Sequence, residues 1–383
     1  MEGEGVERFA SAGTGIDEPG SVTGTDDSEA IAGKRPVRAD GGGEMRALEI
    51  GEWGGSLRER VRPIPDPDAG EVLLEVDAVG VGRTVANVMA GNMNDDPDAL
   101  PRIPGHEVVG TVASVGPGVD HVSPGDPATV YFHLVCGHCR FCHEGRDSLC
   151  RNHRGWVSAH TDGGFAEYAC LPAGNVLPLP EGLDPVAATA IPDAVATPYH
   201  VATERARIGD GDRVLVLGAG GGVGIHMVQV ATHVGGDVIG VDLSASKLEA
   251  CLDVGATDVV NAAETDLASA VDGLLDVVID FTGDMEAVEA ATDLLGPRGR
   301  LVHLTTFPGR TSEPSPRAAV SNELTVVGSR YCSKHELLAA AELVAEGSVE
   351  PVVTESVGFD GVSDLLDRIT GNEVVGRGAM RPE

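Results

Sequence analysis

Lysine is nearly absent from this 383-residue chain: Lys34, Lys247 and Lys334 are the only three. Arginine does not make up the deficit. Lys and Arg together number 27 against 60 Asp and Glu, for a formal net charge of −33. A surface this acidic repels phosphate backbones and anionic lipid, which argues against nucleic acid and membranes as partners. Other things are missing too. No stretch approaches the ~18 consecutive apolar residues of a membrane span. Met1 to Asp40 has no apolar segment of the secretory-signal kind. No internal repeat is evident. A cytoplasmic protein is therefore expected. With 42% hydrophobic residues, the chain is long enough for two domains with sizeable cores.

The same charge makes the chain repel itself. In ordinary buffer this destabilises the compact state, but in molar salt the Debye length falls to about 3 Å and the repulsion is screened. Acid-rich, lysine-poor composition resembles that of cytosolic proteins from salt-accumulating halophiles, and we expect such an origin.

Cysteine is concentrated rather than scattered. Cys136, Cys139, Cys142 and Cys150 form Cys-x2-Cys-x2-Cys-x7-Cys, a spacing that lets four thiolates surround one tetrahedral Zn²⁺. Four ligands leave no open corner, so this zinc is expected to be structural. Paired disulfides would need an oxidising compartment, for which the sequence offers no sign. Cys170, Cys251 and Cys332 stand alone and read as small buried hydrophobes.

Residues 1–44 are rich in Gly, Ser, Thr, Asp and Glu without apolar periodicity, and read as a disordered acidic extension. From Met45 to about Pro198, short strands alternate with Gly/Pro turns, which implies a barrel-like β domain carrying the cysteine lobe at 133–153. Residues 199–334 alternate strands with helical stretches, the pattern of a doubly wound parallel sheet. The tail, 335–383, is expected to return to the β domain.

The strand Arg213 to Leu217 runs into Gly218-Ala219-Gly220-Gly221-Gly222-Val223-Gly224 and then a helix. Such a turn brings backbone N–H groups and a helix N-terminus to a pyrophosphate. We assign Gly218, Ala219, Gly221, Gly222, Val223 and Gly224 to cofactor binding. Asp242 closes the next strand, placed to accept hydrogen bonds from a ribose diol and to repel a 2′-phosphate. NAD(H) is therefore expected over NADP(H).

Gly105-His106-Glu107-Val108-Val109-Gly110 and Asp162-Gly163-Gly164-Phe165-Ala166-Glu167-Tyr168 complete the set. With these motifs in this order, the chain from Met45 onward resembles the zinc-containing medium-chain alcohol dehydrogenases. The resemblance implies an α/β fold: a GroES-like β-barrel catalytic domain (45–198 and 335–383) with a Rossmann domain. It implies NAD-dependent hydride transfer to and from an alcohol, polyol or hydroxyacyl substrate, helped by a second, catalytic zinc. His106 and Glu107 match the family motif, Asp193 falls where the third ligand belongs, and Thr84 matches the proton-relay hydroxyl. Arg83 and Lys247 are placed at the cofactor. The resemblance also implies a homodimer or homotetramer, with Leu324 to Gly328 as the candidate edge. One position departs sharply. Where the family has its first cysteine ligand, this chain has Gly82, and the supporting Asp is replaced by Val85. Either His106, Glu107 and Asp193 hold zinc with a water, or the site holds none. The latter would suit an enoyl-thioester or quinone-type reductase that keeps only the structural zinc. A non-catalytic NAD-binding protein is a third reading. Substrate identity is not legible.

Overall fold

The computed structural model describes residues 43–305 and 315–382. Most of the acidic extension therefore lies outside the described residues. Its expected boundary moves, however, because Glu44 already belongs to the first strand.

Fifteen strands occur among the described residues. In chain order they are β1 (Glu44–Glu49), β2 (Arg58–Pro63), β3 (Glu71–Val81), β4 (Glu107–Val115), β5 (Pro127–Val130), β6 (Tyr168–Pro172), β7 (Val176–Pro178), β8 (Arg213–Leu217), β9 (Asp237–Asp242), β10 (Asp258–Asn261), β11 (Leu275–Asp280), β12 (Leu295–His303), β13 (Thr325–Gly328), β14 (Val353–Val357) and β15 (Arg377–Met380).

The long strand β3 organises the first half. It pairs along its length with β4; its start also pairs with β6 and its end with β15. The full order is β14-β15-β3-β4-β5-β7, so strands made more than 350 residues into the chain join one made near residue 80. A strand with different neighbours at its two ends curls the sheet, as the barrel-like expectation requires. Its apolar positions Val72, Leu73, Leu74, Val79 and Val81 are buried.

The second half is a six-stranded parallel sheet in the order β10-β9-β8-β11-β12-β13. Counted within the sheet this is 3-2-1-4-5-6, the doubly wound dinucleotide order, and the chain reverses direction between β8 and β11. Val214, Leu215, Val216 and Leu217 are all buried. This continuous apolar run suits a strand covered on both faces. Ligands bind such sheets beyond the carboxyl ends of the strands at the reversal, which is where β8 meets the glycine turn.

Candidate active site

The turn after β8 needs its glycines for different reasons. Gly218 has φ of +78°, which L side chains rarely adopt. Gly224 opens the helix Gly224–His233 against the turn itself, and a Cβ there would lie 2.9 Å from Ala219 Cα. Gly221 N–H donates to Gly218 O at 3.1 Å, while Gly218 and Ala219 both donate to Val241 O, tying the turn to β9. At the end of β9, the buried Asp242 accepts from Gly220 N–H at 3.1 Å and from Leu243 N–H at 2.8 Å. The carboxylate is thus held beside the turn. Lys247 is buried beside it and donates to Asn372 Oδ1 at 2.6 Å. Burial lowers its pKa; Asp242 opposes that shift and Arg83 adds to it. Arg83 and Thr84 lie in the helix Arg83–Met89, which starts directly after Gly82. Arg83 is exposed and Thr84 half-buried.

One histidine that the sequence reading passed over braces this turn. His226 is fully buried, its Nδ1 lies 2.8 Å from Gly222 O, and its Nε2 accepts from Val352 N–H at 2.9 Å. That pairing fixes a neutral imidazole protonated on Nδ1. Burial holds its pKa down at about 4 against an ordinary 6.5, the bond to Gly222 opposing. The unfolded chain therefore binds the extra proton first. This stabilisation is whole above pH 6.5 and is lost as pH falls toward 4. We expect urea unfolding at pH 5 to show roughly 2 kcal/mol less stability than at pH 7 from this group, and a His226→Leu variant to lack that component.

The catalytic pocket lies at the start of β4. His106 precedes the strand and Glu107 opens it; both are buried. Asp193 comes from a π-helical turn, Ile191–Val195, of the kind that often marks functional sites. Its Oδ1 accepts from Thr197 Oγ1 at 2.8 Å, and its Oδ2 stands 3.4 Å from His106 Nε2. Donor atoms of His106, Glu107 and Asp193 all fall within 4.8 Å of one another. Phe132 packs edge-on to His106 with centroids 4.7 Å apart. Tyr331 lies over Phe132 and stacks on His133 at 4.9 Å, and its hydroxyl donates to Pro192 O. Tyr331 holds φ of +53°, a strained backbone for an aromatic residue. Burial, then the nearby His153, pushes His133 well below its ordinary pKa.

The residue that the sequence reading missed altogether is Arg377. It opens β15 almost fully buried, and its guanidinium forms an ion pair with Glu107. A Cβ built on Gly82 would lie 2.5 Å from its Nη1, and one built on Gly222 would lie 2.6 Å from its Cδ. The neighbouring Gly376 N–H donates to Gly220 O at 3.2 Å. Arg377 thus touches the pocket and the cofactor turn together.

In the cysteine lobe, Sγ–Sγ separations are 3.6 Å for Cys139–Cys142, 3.8 Å for Cys139–Cys150, 3.5 Å for Cys136–Cys150 and 4.0 Å for Cys136–Cys142. A disulfide needs about 2.05 Å. Sulfurs about 2.3 Å from a central zinc lie about 3.8 Å apart along a tetrahedral edge.

Two family descriptions match: "Alcohol dehydrogenase GroES-like domain" over residues 68–181 and "Zinc-binding dehydrogenase" over 222–346. An alcohol dehydrogenase from Geobacillus stearothermophilus is 30% identical over 338 residues, covering 87% of this chain and 98% of the relative. The chain belongs to the zinc-type medium-chain dehydrogenase family. An NAD-dependent alcohol dehydrogenase from Sulfurisphaera tokodaii is 29% identical over 350 residues, covering 88% of this chain and 100% of the relative. Among solved structures, a cobalt- and zinc-bound thermostable alcohol dehydrogenase from Pyrobaculum aerophilum superimposes with a TM-score of 0.81 at 32% identity, covering 89% of this chain and 100% of that one.

Membership in this zinc-type family implies two metal positions, and this member treats them differently. The cysteine lobe fits a structural zinc. Backbone N–H groups of Cys142 and Arg151 pull the Cys139 thiol down to about 6. Burial, and then the Cys139 thiol, push Cys142 up to about 12, so a cation is needed to ionise the whole quartet. The pocket at His106 fits poorly. Glu107 is taken by Arg377, Gly82 offers no donor, and the guanidinium stands over it. His106 Nδ1 is buried with no hydrogen-bond partner among the described residues, whereas metal-bound histidines donate their second nitrogen to an orienting group.

Proposed function

We propose that the protein is an NAD-dependent oxidoreductase that passes hydride between an alcohol and the nicotinamide. One observation carries this reading: Asp242, fixed beside the glycine turn, shares one continuous cleft lining with the pocket of His106 and Asp193 through Gly376 and Arg377. Dinucleotide and substrate oxygen then meet at Thr84 and His106. The names of the relatives favour an alcohol over an activated double bond as substrate. In this reading Thr84 relays the hydroxyl proton, His106 and Asp193 orient the substrate oxygen, and Arg83 and Lys247 face the cofactor phosphates. Residues 45–198 and 335–383 act as the catalytic domain and 199–334 as the cofactor domain.

The test is initial rates over a panel of alcohols with each cofactor, in high salt. We expect NAD⁺ to be preferred. An Asp242→Gly variant loses a charged acceptor worth about 1.5–3 kcal/mol, so the ratio of kcat/KM for NAD⁺ over NADP⁺ should fall about 10–100-fold. No NADH formation from any alcohol would remove the reading.

We also read the −33 charge as adaptation to a salt-rich cytoplasm. No helix among the described residues is long and apolar enough to cross a membrane. The parallel sheet ends at β13, whose Val326 is exposed, and we take this edge as the homodimer or homotetramer contact.

A further inference from the structure

We propose that the catalytic pocket works without a metal, with the Arg377 guanidinium filling the ligand corner left open by Gly82 and supplying the positive charge against which the substrate oxygen is held. The inference deepens the alcohol reading and rests on it for its substrate.

Three independent observations converge. The first is steric. A side chain on Gly82 would begin 2.5 Å from Arg377 Nη1 and 2.9 Å from both Cζ and Nη2. The space into which a ligand at position 82 would grow is therefore filled by a cation. Glycine at 82 and arginine at 377 are one arrangement, since any larger residue would displace the guanidinium. The second is electrostatic. Glu107, one of three candidate ligands, is wholly buried and paired with Arg377. A divalent ion bound there would strip Glu107 from the guanidinium and then face an unpaired buried charge at close range. The third concerns the remaining donors. His106 and Asp193 are two ligands, fewer than the three protein ligands of catalytic zinc sites, and His106 Nδ1 lacks the partner that fixes a metal-bound ring.

What is left is not an empty site. It holds a fixed cation, a histidine–carboxylate pair and the Thr84 hydroxyl. A guanidinium stays charged at any working pH and offers donors in a rigid fork. Nε of Arg377 is buried with no acceptor among the described residues. In the oxidation direction, the carbinol C–H leaves as hydride to nicotinamide C4 and the O–H proton passes through Thr84 to water. The products are the carbonyl compound, NADH and one proton. The donors of Arg377 meet the oxygen as negative charge develops on it.

The decisive measurement is zinc per chain, by elemental analysis of the purified full-length protein in high salt. We expect one, held by the cysteine lobe, and turnover within about twofold of its starting value after treatment with 1,10-phenanthroline. Installing the missing ligand while removing the cation, in Gly82→Cys/Arg377→Met, is expected to raise the count toward two. A Glu107→Leu/Arg377→Met variant keeps the pocket neutral and is expected to lower kcat about 10²–10³-fold, the effect of removing an oxyanion donor. Two zinc atoms in the unaltered protein, one lost on His106→Ala, would overturn the proposal, as would full kcat in the neutral double variant. One zinc with no alcohol turnover would support the metal-free pocket and sink the alcohol reading instead.

Discussion

Replacing Cys139 with serine is expected to release zinc and loosen the lobe at 133–153, lowering the apparent melting temperature by more than about 10 °C. Structural zinc in small sites is worth about 10–16 kcal/mol at neutral pH, comparable with the whole stability of most domains, about 5–15 kcal/mol. Loss of even about 5 kcal/mol moves the midpoint by roughly 10–20 °C in a protein of this size. Cys139 is a severe choice because its sulfur lies 3.6 and 3.8 Å from two other thiols. The lobe is also tied to the pocket. Asp147, inside it, accepts from Lys334 N–H at 3.2 Å, next to the capping box of Ser333 and Glu336. Tyr331, stacked on His133 over the catalytic histidine, lies three residues before that contact. Activity should therefore fall along with stability. Thermal scans in high salt, with zinc content measured in parallel, decide the matter. A serine variant that melts like the parent would mean that the quartet does not carry the lobe.

The second large effect comes from the ion pair. Glu107→Leu leaves Arg377 as an uncompensated buried charge and is expected to cost about 3–5 kcal/mol. Burial draws the Arg377 pKa down only to about 10, so the group cannot escape by losing its proton at neutral pH. Glu107→Leu/Arg377→Met removes both charges, and most of the stability should return, since apolar replacement of a buried pair is often neutral. Urea unfolding of the two variants and the parent provides the comparison. A single variant within about 1 kcal/mol of the parent would show that water reaches the guanidinium.

Much of this architecture was legible from residue order. The cysteine spacing, the strand–glycine–helix run and Asp242 are local patterns, each set by neighbours within about 30 residues, and each lies where the pattern placed it. Gly82 was legible as a departure but not as a consequence. Its meaning depends on Arg377, nearly 300 residues later, and nothing local marks that arginine. The same holds for His226, which reads as one more position in a buried helix until Val352 is seen to donate to it. Tyr331 gave no sequence signal either, because its role rests on a backbone angle and on rings from residues 132 and 133. Long-range partnership, rather than residue type, separates what could be read from what could not.

The pairing of β15 with β3, Gly378 opposite Val81, also bears on synthesis. A ribosome must deliver nearly 300 further residues after β3 before that strand finds its second neighbour. The contact is about as non-local as this chain allows, and such pairings are slow to form. The cofactor sheet, whose strands lie between, can assemble first and act as the platform on which the barrel later closes. Arg377 is the first residue of the closing strand. The charge that completes the pocket therefore arrives last, and an unfinished chain bearing every earlier motif would remain inert.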